Sequence, residues 1–127
     1  MELICPAGTP AALKSAIDAG ADAIYCGFND ETNARNFPGL NFSRDELAKG
    51  IALAHRSGAK VLVAINTFPR AGSVDLWHRA VDDAVGAGAD ALILADIGLM
   101  DYTAKHHPDQ RLHVSVQAAA ANPDAIA

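Results

Sequence analysis

Six polar side chains at or just beyond apolar runs carry most of the chemistry this sequence offers. Asn33 and Arg35 lie in an Asn-rich stretch, Asn66 and Asp96 follow runs of aliphatic residues, and Ser115 and Gln117 sit on a later run. An arginine can grip a carboxylate through two parallel hydrogen bonds. An aspartate can act as a general base or accept from a substrate hydroxyl, and amides and hydroxyls order the polar groups of a ligand. In parallel β/α folds such groups gather beyond the carboxyl ends of the strands, and these residues fall there. Substrate binding is therefore expected of Arg35, Asn33, Asn66, Asp96, Ser115 and Gln117; no catalytic residue is assigned and no metal site is expected. Plainer roles stay open. Arg35 could answer Asp30 or Glu31 within its own loop, and Asp96 could cap the helix after it.

Other reactive residues carry less. On the last run His113, Ser115 and Gln117 share one face of a strand and Leu112, Val114 and Val116 the other, by the two-residue period of a strand. His113 is lowest on the polar face, which favours a hydrogen-bonded structural histidine. His106 and His107 precede Pro108 and read as a solvated helix end. Cys5 and Cys26 have no C-x-x-C spacing and read as small buried hydrophobes. H-E-x-x-H, G-x-S-x-G and P-loop signatures are missing, which disfavours a peptidase with a usual nucleophile or metal.

Three near-copies of one phrase must position these residues: Gly20-Ala21-Asp22, Gly58-Ala59-Lys60 and Gly88-Ala89-Asp90, each followed by an apolar run. A glycine there suits the left-handed position just past a helix. The near-continuous apolar runs predict parallel strands covered on both faces. In order, the patterns predict strands over Glu2–Cys5, Asp22–Gly27, Lys60–Asn66, the run ending at Asp96, and Leu112–Gln117. Helices are expected after Thr9-Pro10, after a Ser43/Glu46 capping box, after a Ser73 cap with Leu76, Ala80, Val81 and Ala84 inward, and over Leu99–Lys105. Phe28–Phe42 has neither period. Its three phenylalanines argue for an ordered, functional loop.

Composition narrows the classes. The chain has 127 residues, half of them apolar, and a formal net charge of −5 with no basic run, which argues against a nucleic-acid groove. No secretory leader and no transmembrane stretch is evident, so a cytoplasmic location is expected. The expected fold class is α/β, a parallel (β/α) barrel-type repeat with five strands. Because Asn122-Pro123 looks like another helix start close to Ala127, residues 1–127 read as a single N-terminal segment of a longer protein, an incomplete TIM-like barrel. A complete five-stranded doubly wound domain is the alternative; lacking Gly-x-Gly-x-x-Gly, it would not be a dinucleotide-binding one.

Taken together, Leu3-Ile4-Cys5-Pro6-Ala7-Gly8, the loop Thr32-Asn33-Ala34-Arg35 through Gly39-Leu40-Asn41-Phe42, Ala64-Ile65-Asn66-Thr67 and His113-Val114-Ser115-Val116-Gln117 resemble the collagenase-like peptidase family of unclassified mechanism. The loop resembles its ubiquinone-biosynthesis branch, UbiU. That resemblance implies a barrel domain within a longer chain, a UbiV-like partner subunit and a 4Fe–4S cluster held by four cysteines. It also implies oxygen-independent hydroxylation of a small-molecule quinone precursor, with prephenate as oxygen source. Sister members hydroxylate RNA bases, and older descriptions call the family peptidases. Cys5 and Cys26 do not match the cluster cysteines, so none is expected within this chain, which by itself should be inactive in hydroxylation. A rival expectation is a binding or assembly module whose open strand edges pair with another chain.

Overall fold

The computed structural model describes residues 2–34 and 39–114. Five strands alternate with four helices: β1 (Ile4–Pro6), α1 (Pro10–Asp18), β2 (Ala23–Gly27), α2 (Arg44–Arg56), β3 (Lys60–Ile65), α3 (Val74–Ala87), β4 (Ala91–Leu94), α4 (Ile97–His106) and β5 (Arg111–Val114). All four strand pairings are parallel and the strand order is β1-β2-β3-β4-β5. The predicted alternation is thus observed, and Ser115–Gln117 lie outside the described residues.

Strand order decides between the two candidate architectures. A doubly wound sheet needs a reversal of order, so that right-handed crossovers deliver helices to both faces. Here every crossover steps the same way, and all four helices fall on one face, as in a barrel wall. Burial agrees: on β3 Val61, Val63 and Ile65 are completely buried, whereas Leu62 and Ala64 on the other side are only partly so. The expectation of strands covered on both faces is therefore corrected. The uncovered face carries Ile4, Tyr25, Leu62 and Ile93, with Ile4 54% and Tyr25 37% exposed.

The core lies between sheet and helices, where Leu13, Ile24, Leu47, Ile51, Leu92, Leu94 and Leu99 are buried. Each copy of the repeated phrase ends its helix as expected, with φ of 87° at Gly20, 79° at Gly58 and 99° at Gly88. The aspartates of the phrase have a role that its rhythm conceals. Asp22 and Leu3 exchange bonds, the Leu3 N–H donating to Asp22 Oδ2 (2.7 Å) and the Asp22 N–H to the Leu3 carbonyl (2.8 Å). Asp90 and Val61 repeat the exchange at 2.7 and 2.8 Å, and His55 Nε2 adds a 2.8 Å contact to the same carboxylate. Each carboxylate thus fastens the start of one strand to the start of its neighbour.

The predicted helix caps hold with one exception. Thr9, Ser43 and Asp96 accept from Ala12, Glu46 and Leu99, and Ser43 with Glu46 forms the full capping box. Ser73 stands at the N-cap of α3 but makes no side-chain capping bond. Its backbone, at φ −123° and ψ 15°, is not in the extended geometry that the working caps Thr9, Ser43 and Asp96 share. Ala80, Val81 and Ala84 are buried on α3 as expected, whereas at its start Trp77 is fully buried and Leu76 only partly so.

Candidate functional site

The carboxyl ends of β2 and β3 are roofed by the loop between β2 and α2. Its two ends are pinned by Phe28 and Phe42, both fully buried and paired in a parallel bridge. Phe42 N–H donates to the Gly27 carbonyl at 3.1 Å and Asn29 N–H to the Phe42 carbonyl at 2.9 Å. Inside the loop Asp30 Oδ1 accepts from the Thr32 N–H at 2.9 Å and from its hydroxyl, a local turn that Asp readily supplies. Arg44, the first residue of α2, holds Asp30 and Asp83 at 3.0 Å each and lies 3.7 Å over the Phe28 ring.

The same loop is fastened to the end of β3 through three consecutive kinds of donor and acceptor. Asn66 Oδ1 accepts the Ala34 N–H at 2.9 Å, Thr67 Oγ1 donates to the Glu31 carbonyl at 2.5 Å, and Arg70 pairs with the Glu31 carboxylate. Trp77 Nε1 donates to Thr67 Oγ1 at 3.0 Å, so a buried aromatic on α3 sets the hydroxyl that sets the loop. Asn33 is buried and its Nδ2 donates to the Phe28 carbonyl at 3.3 Å. A Cβ on Gly27 would come within 2.5 Å of that nitrogen, so only glycine leaves room for Asn33 above β2.

These contacts redistribute the expected roles. Asn33 on the roofing loop and Asn66 at the end of β3 both bind backbone of that loop. Arg35, Ser115 and Gln117 lie outside the described residues. The acids weighed as partners for Arg35 are engaged by Arg44 and Arg70. Asp96 caps α4, its Oδ2 accepting from Leu99 N–H at 2.8 Å, and also lines a cavity of about 440 Å³ with Arg70, His78, Gly72, Val74 and Leu99. Asp96 is thus both a cap and a group presented to an open crevice. Arg70 was not singled out from sequence, though its signal was there: a lone cation in the loop after a strand that ends in Asn66-Thr67.

The crevice continues into an aromatic stack between α3 and α4. His78 lies parallel to Tyr102 at 3.8 Å, and the His106 ring is tilted against that of Tyr102 at 4.3 Å. Tyr102 donates to Asp82 (2.9 Å) and His107 Nε2 contacts the same carboxylate at 2.8 Å. The expectation of a solvated pair at His106-His107 holds for His106, which is exposed, and is corrected for His107, whose contact with Asp82 fastens the end of α4 to α3. Partial desolvation pushes the Asp82 carboxyl up, but the bonds from His107 and Tyr102 outweigh it and leave its pKa below the ordinary carboxylate value. Desolvation, then the bond to Asp82, pushes the Tyr102 hydroxyl up.

Residues 8–127 match the model of peptidase family U32. The chain belongs to this family. An uncharacterized protease of Methanocaldococcus jannaschii is 37% identical over 122 residues, covering 96% of this chain and 29% of that protein. The tRNA hydroxylation protein P of Escherichia coli is 37% identical over 95% of this chain and 26% of its own length. The 23S rRNA 5-hydroxycytidine C2501 synthase of the same organism is 35% identical over 92% of this chain and 17% of its own length. The chain therefore spans less than a third of the length of these relatives. A solved U32 peptidase superposes with a TM-score of 0.72 at 19% identity, covering 98% of this chain and 53% of that one. A hydroxymethylglutaryl-CoA lyase of Pseudomonas aeruginosa superposes at 0.63 and 17% identity, a likeness of fold alone.

An iron–sulfur cluster does not fit the residues present. Such clusters ordinarily take four thiolates, and the sequence has two cysteines. Cys26 is buried, and burial pushes its thiol up to about 12, far from the thiolate a cluster requires. Among the described residues no group of three or more His, Cys, Asp or Glu could hold a metal ion. No described helix is long and apolar enough to cross a membrane.

Proposed function

We propose that this chain is a barrel-wall segment of a U32 hydroxylation protein, contributing the roofed ends of β2 and β3 and the crevice beside β4 to a substrate pocket. One observation carries the reading: 37% identity over 95% of the chain to a relative named for tRNA hydroxylation. The geometry is in keeping with it, because the loops after β2 and β3 are tied into one rim at the end of the sheet where substrates of β/α folds bind. From their sequence positions Arg35 is assigned a carboxylate of the ligand and Ser115 and Gln117 its polar groups, and Asp96, presented to the crevice, is assigned the same polar groups. Asn33 and Asn66 act one step back, by fixing the loop that carries Arg35.

The finer reading follows the resemblance of the Thr32–Phe42 loop to UbiU: hydroxylation of a ubiquinone precursor in the cytoplasm, with prephenate as oxygen source, alongside a UbiV-like subunit. The chain by itself lacks the thiolates for a 4Fe–4S cluster and is inactive alone. A second reading, an RNA base as substrate, draws on the names of the E. coli relatives. The net charge of −5 speaks for a small molecule within this segment. The full-length protein decides between them. In cells lacking the gene, loss of hydroxylated quinone precursors during anaerobic growth supports the first, and loss of hydroxypyrimidines from tRNA or rRNA supports the second. Unchanged levels of both refute the hydroxylation reading, and normal activity of Arg35→Ala removes Arg35 from the site.

A further inference from the structure

Two half-buried polar side chains stand apart from their kind by having no partner. Among the described residues three carboxylates are half-buried: Asp30, Asp90 and Asp96. Asp30 pairs with Arg44 and Asp90 with His55, whereas Asp96 belongs to no ion pair and commits only Oδ2, to the α4 cap. Two of the described histidines are half-buried, while His55, His106 and His113 are exposed. Of those two, His107 spends Nε2 on Asp82, and His78 has no hydrogen-bond partner at either ring nitrogen. Both exceptions line the same crevice of about 440 Å³, where the loop after β3 meets the starts of α3 and α4. Neither bonds the other, so a ligand can stand between them.

A partly desolvated polar group costs free energy until a ligand or water answers it. His78 is also fixed in direction, because it lies flat on Tyr102 at 3.8 Å and the Tyr102 hydroxyl is tied to Asp82 at 2.9 Å. A group held in place beforehand loses little freedom on binding. The donor set selects the ligand. A carboxylate only accepts, and a neutral imidazole donates at one nitrogen and accepts at the other. Hydroxyls suit both, whereas an ammonium can only donate and a carboxylate is repelled by Asp96. Arg70 on the same wall is already answered by Glu31, so it adds no free cation. Val74 and Leu99 supply an apolar wall for the carbon face of a ring.

We propose that His78 and Asp96 bind two adjacent hydroxyls on an uncharged ring of the ligand, its carbon face resting on Val74 and Leu99. The inference rests on the crevice being part of the substrate pocket, and it names the polar groups that Asp96 orders and a second residue that holds them.

The probe is cis-1,2-cyclohexanediol, followed by amide shifts in the isotopically labelled 127-residue chain. Saturable shifts at His78, Asp96, Gly98 and Leu99 are expected. His78→Phe keeps a ring to stack on Tyr102 and removes both nitrogens; it should weaken binding by about tenfold with the urea midpoint unchanged, while Arg79→Gln on the exposed side of α3 leaves binding as it was. Should His78→Phe fail to fold, Asp96→Asn, which keeps a capping oxygen for Leu99 N–H, gives the same comparison with a smaller loss. Methyl β-D-ribofuranoside carries the same pair of hydroxyls on a sugar: tighter binding than the cyclohexanediol identifies a ribose as their source, binding no tighter a carbocyclic ring, and both support the proposal. It is overturned by no saturable shift, by equal affinity for cyclohexanol, cyclohexylamine or cyclohexanecarboxylate, or by unchanged affinity in a folded His78→Phe variant. Gene-deleted cells with unchanged hydroxylated products sink the hydroxylation reading and leave diol binding intact; a chain that binds no diol sinks this inference alone.

Discussion

Replacing Gly27 with alanine tests the link between sheet and loop at its tightest point. The added methyl group would sit 2.5 Å from Asn33 Nδ2, 2.8 Å from Asn33 Cγ and 3.1 Å from the Ala64 carbonyl oxygen. The last atom belongs to β3 and cannot move without disturbing the sheet, so Asn33 must give way. Asn33 is buried and bonded to the Phe28 carbonyl, so its displacement leaves that acceptor without this donor. Overpacking costs about 1–3 kcal/mol, and a buried polar group stripped of its partner costs about 1–3 kcal/mol. Because one movement of Asn33 relieves the first at the expense of the second, a net loss of about 2–4 kcal/mol is expected. Urea unfolding of the 127-residue chain measures it, provided the slope of the transition stays constant. The double variant Gly27→Ala, Asn33→Ala identifies the cause: with the amide gone, the methyl group should cost far less than in the single variant, a coupling that distant sites do not show. A Gly27→Ala variant within about 0.5 kcal/mol of the parent, the range of an ordinary surface change, would refute the reasoning. So would purely additive costs in the pair.

Asp96→Ala should destabilise the chain by about 1 kcal/mol through loss of the α4 cap, and Asp96→Ser should recover most of it; both are read from urea midpoints. Asp90→Ala removes the acceptor for Val61 N–H and the contact to His55, and a loss of about 1–3 kcal/mol is expected by the same measurement. The contribution of Asp82, whose folded pKa lies below the ordinary value, is present above the unfolded carboxylate pKa and fades as pH falls through the lower folded one. Asp82→Asn should therefore flatten the acid limb of a stability–pH profile below about pH 4, and an unchanged limb would count against the Asp82–His107–Tyr102 fastening. With its thiol pushed up to about 12, Cys26 should resist iodoacetamide at pH 8 in the folded chain and react once urea unfolds it.

Much of the architecture was legible in the chain because local chemistry dictates it. Glycines past helix ends, the Ser43/Glu46 box, Asp96 as a possible cap and the short apolar runs each depend on neighbours within a few residues, and all reappear in the structure. The side to which the helices went was not legible. An apolar run looks the same whether one or both of its faces are covered, and only the strand order, a relation among residues 19 to 37 positions apart, decides it. The burial of Trp77 rather than Leu76 inward on α3 has the same origin, because its indole N–H has Thr67 to meet across the loop.

The site divides along the same line. Sequence by itself placed polar residues at the strand ends, since strand direction and the period of two suffice for that, and the absence of either period marked Phe28–Phe42 as a loop. Tertiary structure decided what those residues do there. Asn66, read as a ligand group, spends its amide oxygen on Ala34 N–H. Asp22 and Asp90, read only as part of a repeated phrase, join neighbouring strands through reciprocal bonds. An amide or carboxylate serves ligand and backbone equally well, and which it meets depends on the loop that folds across it.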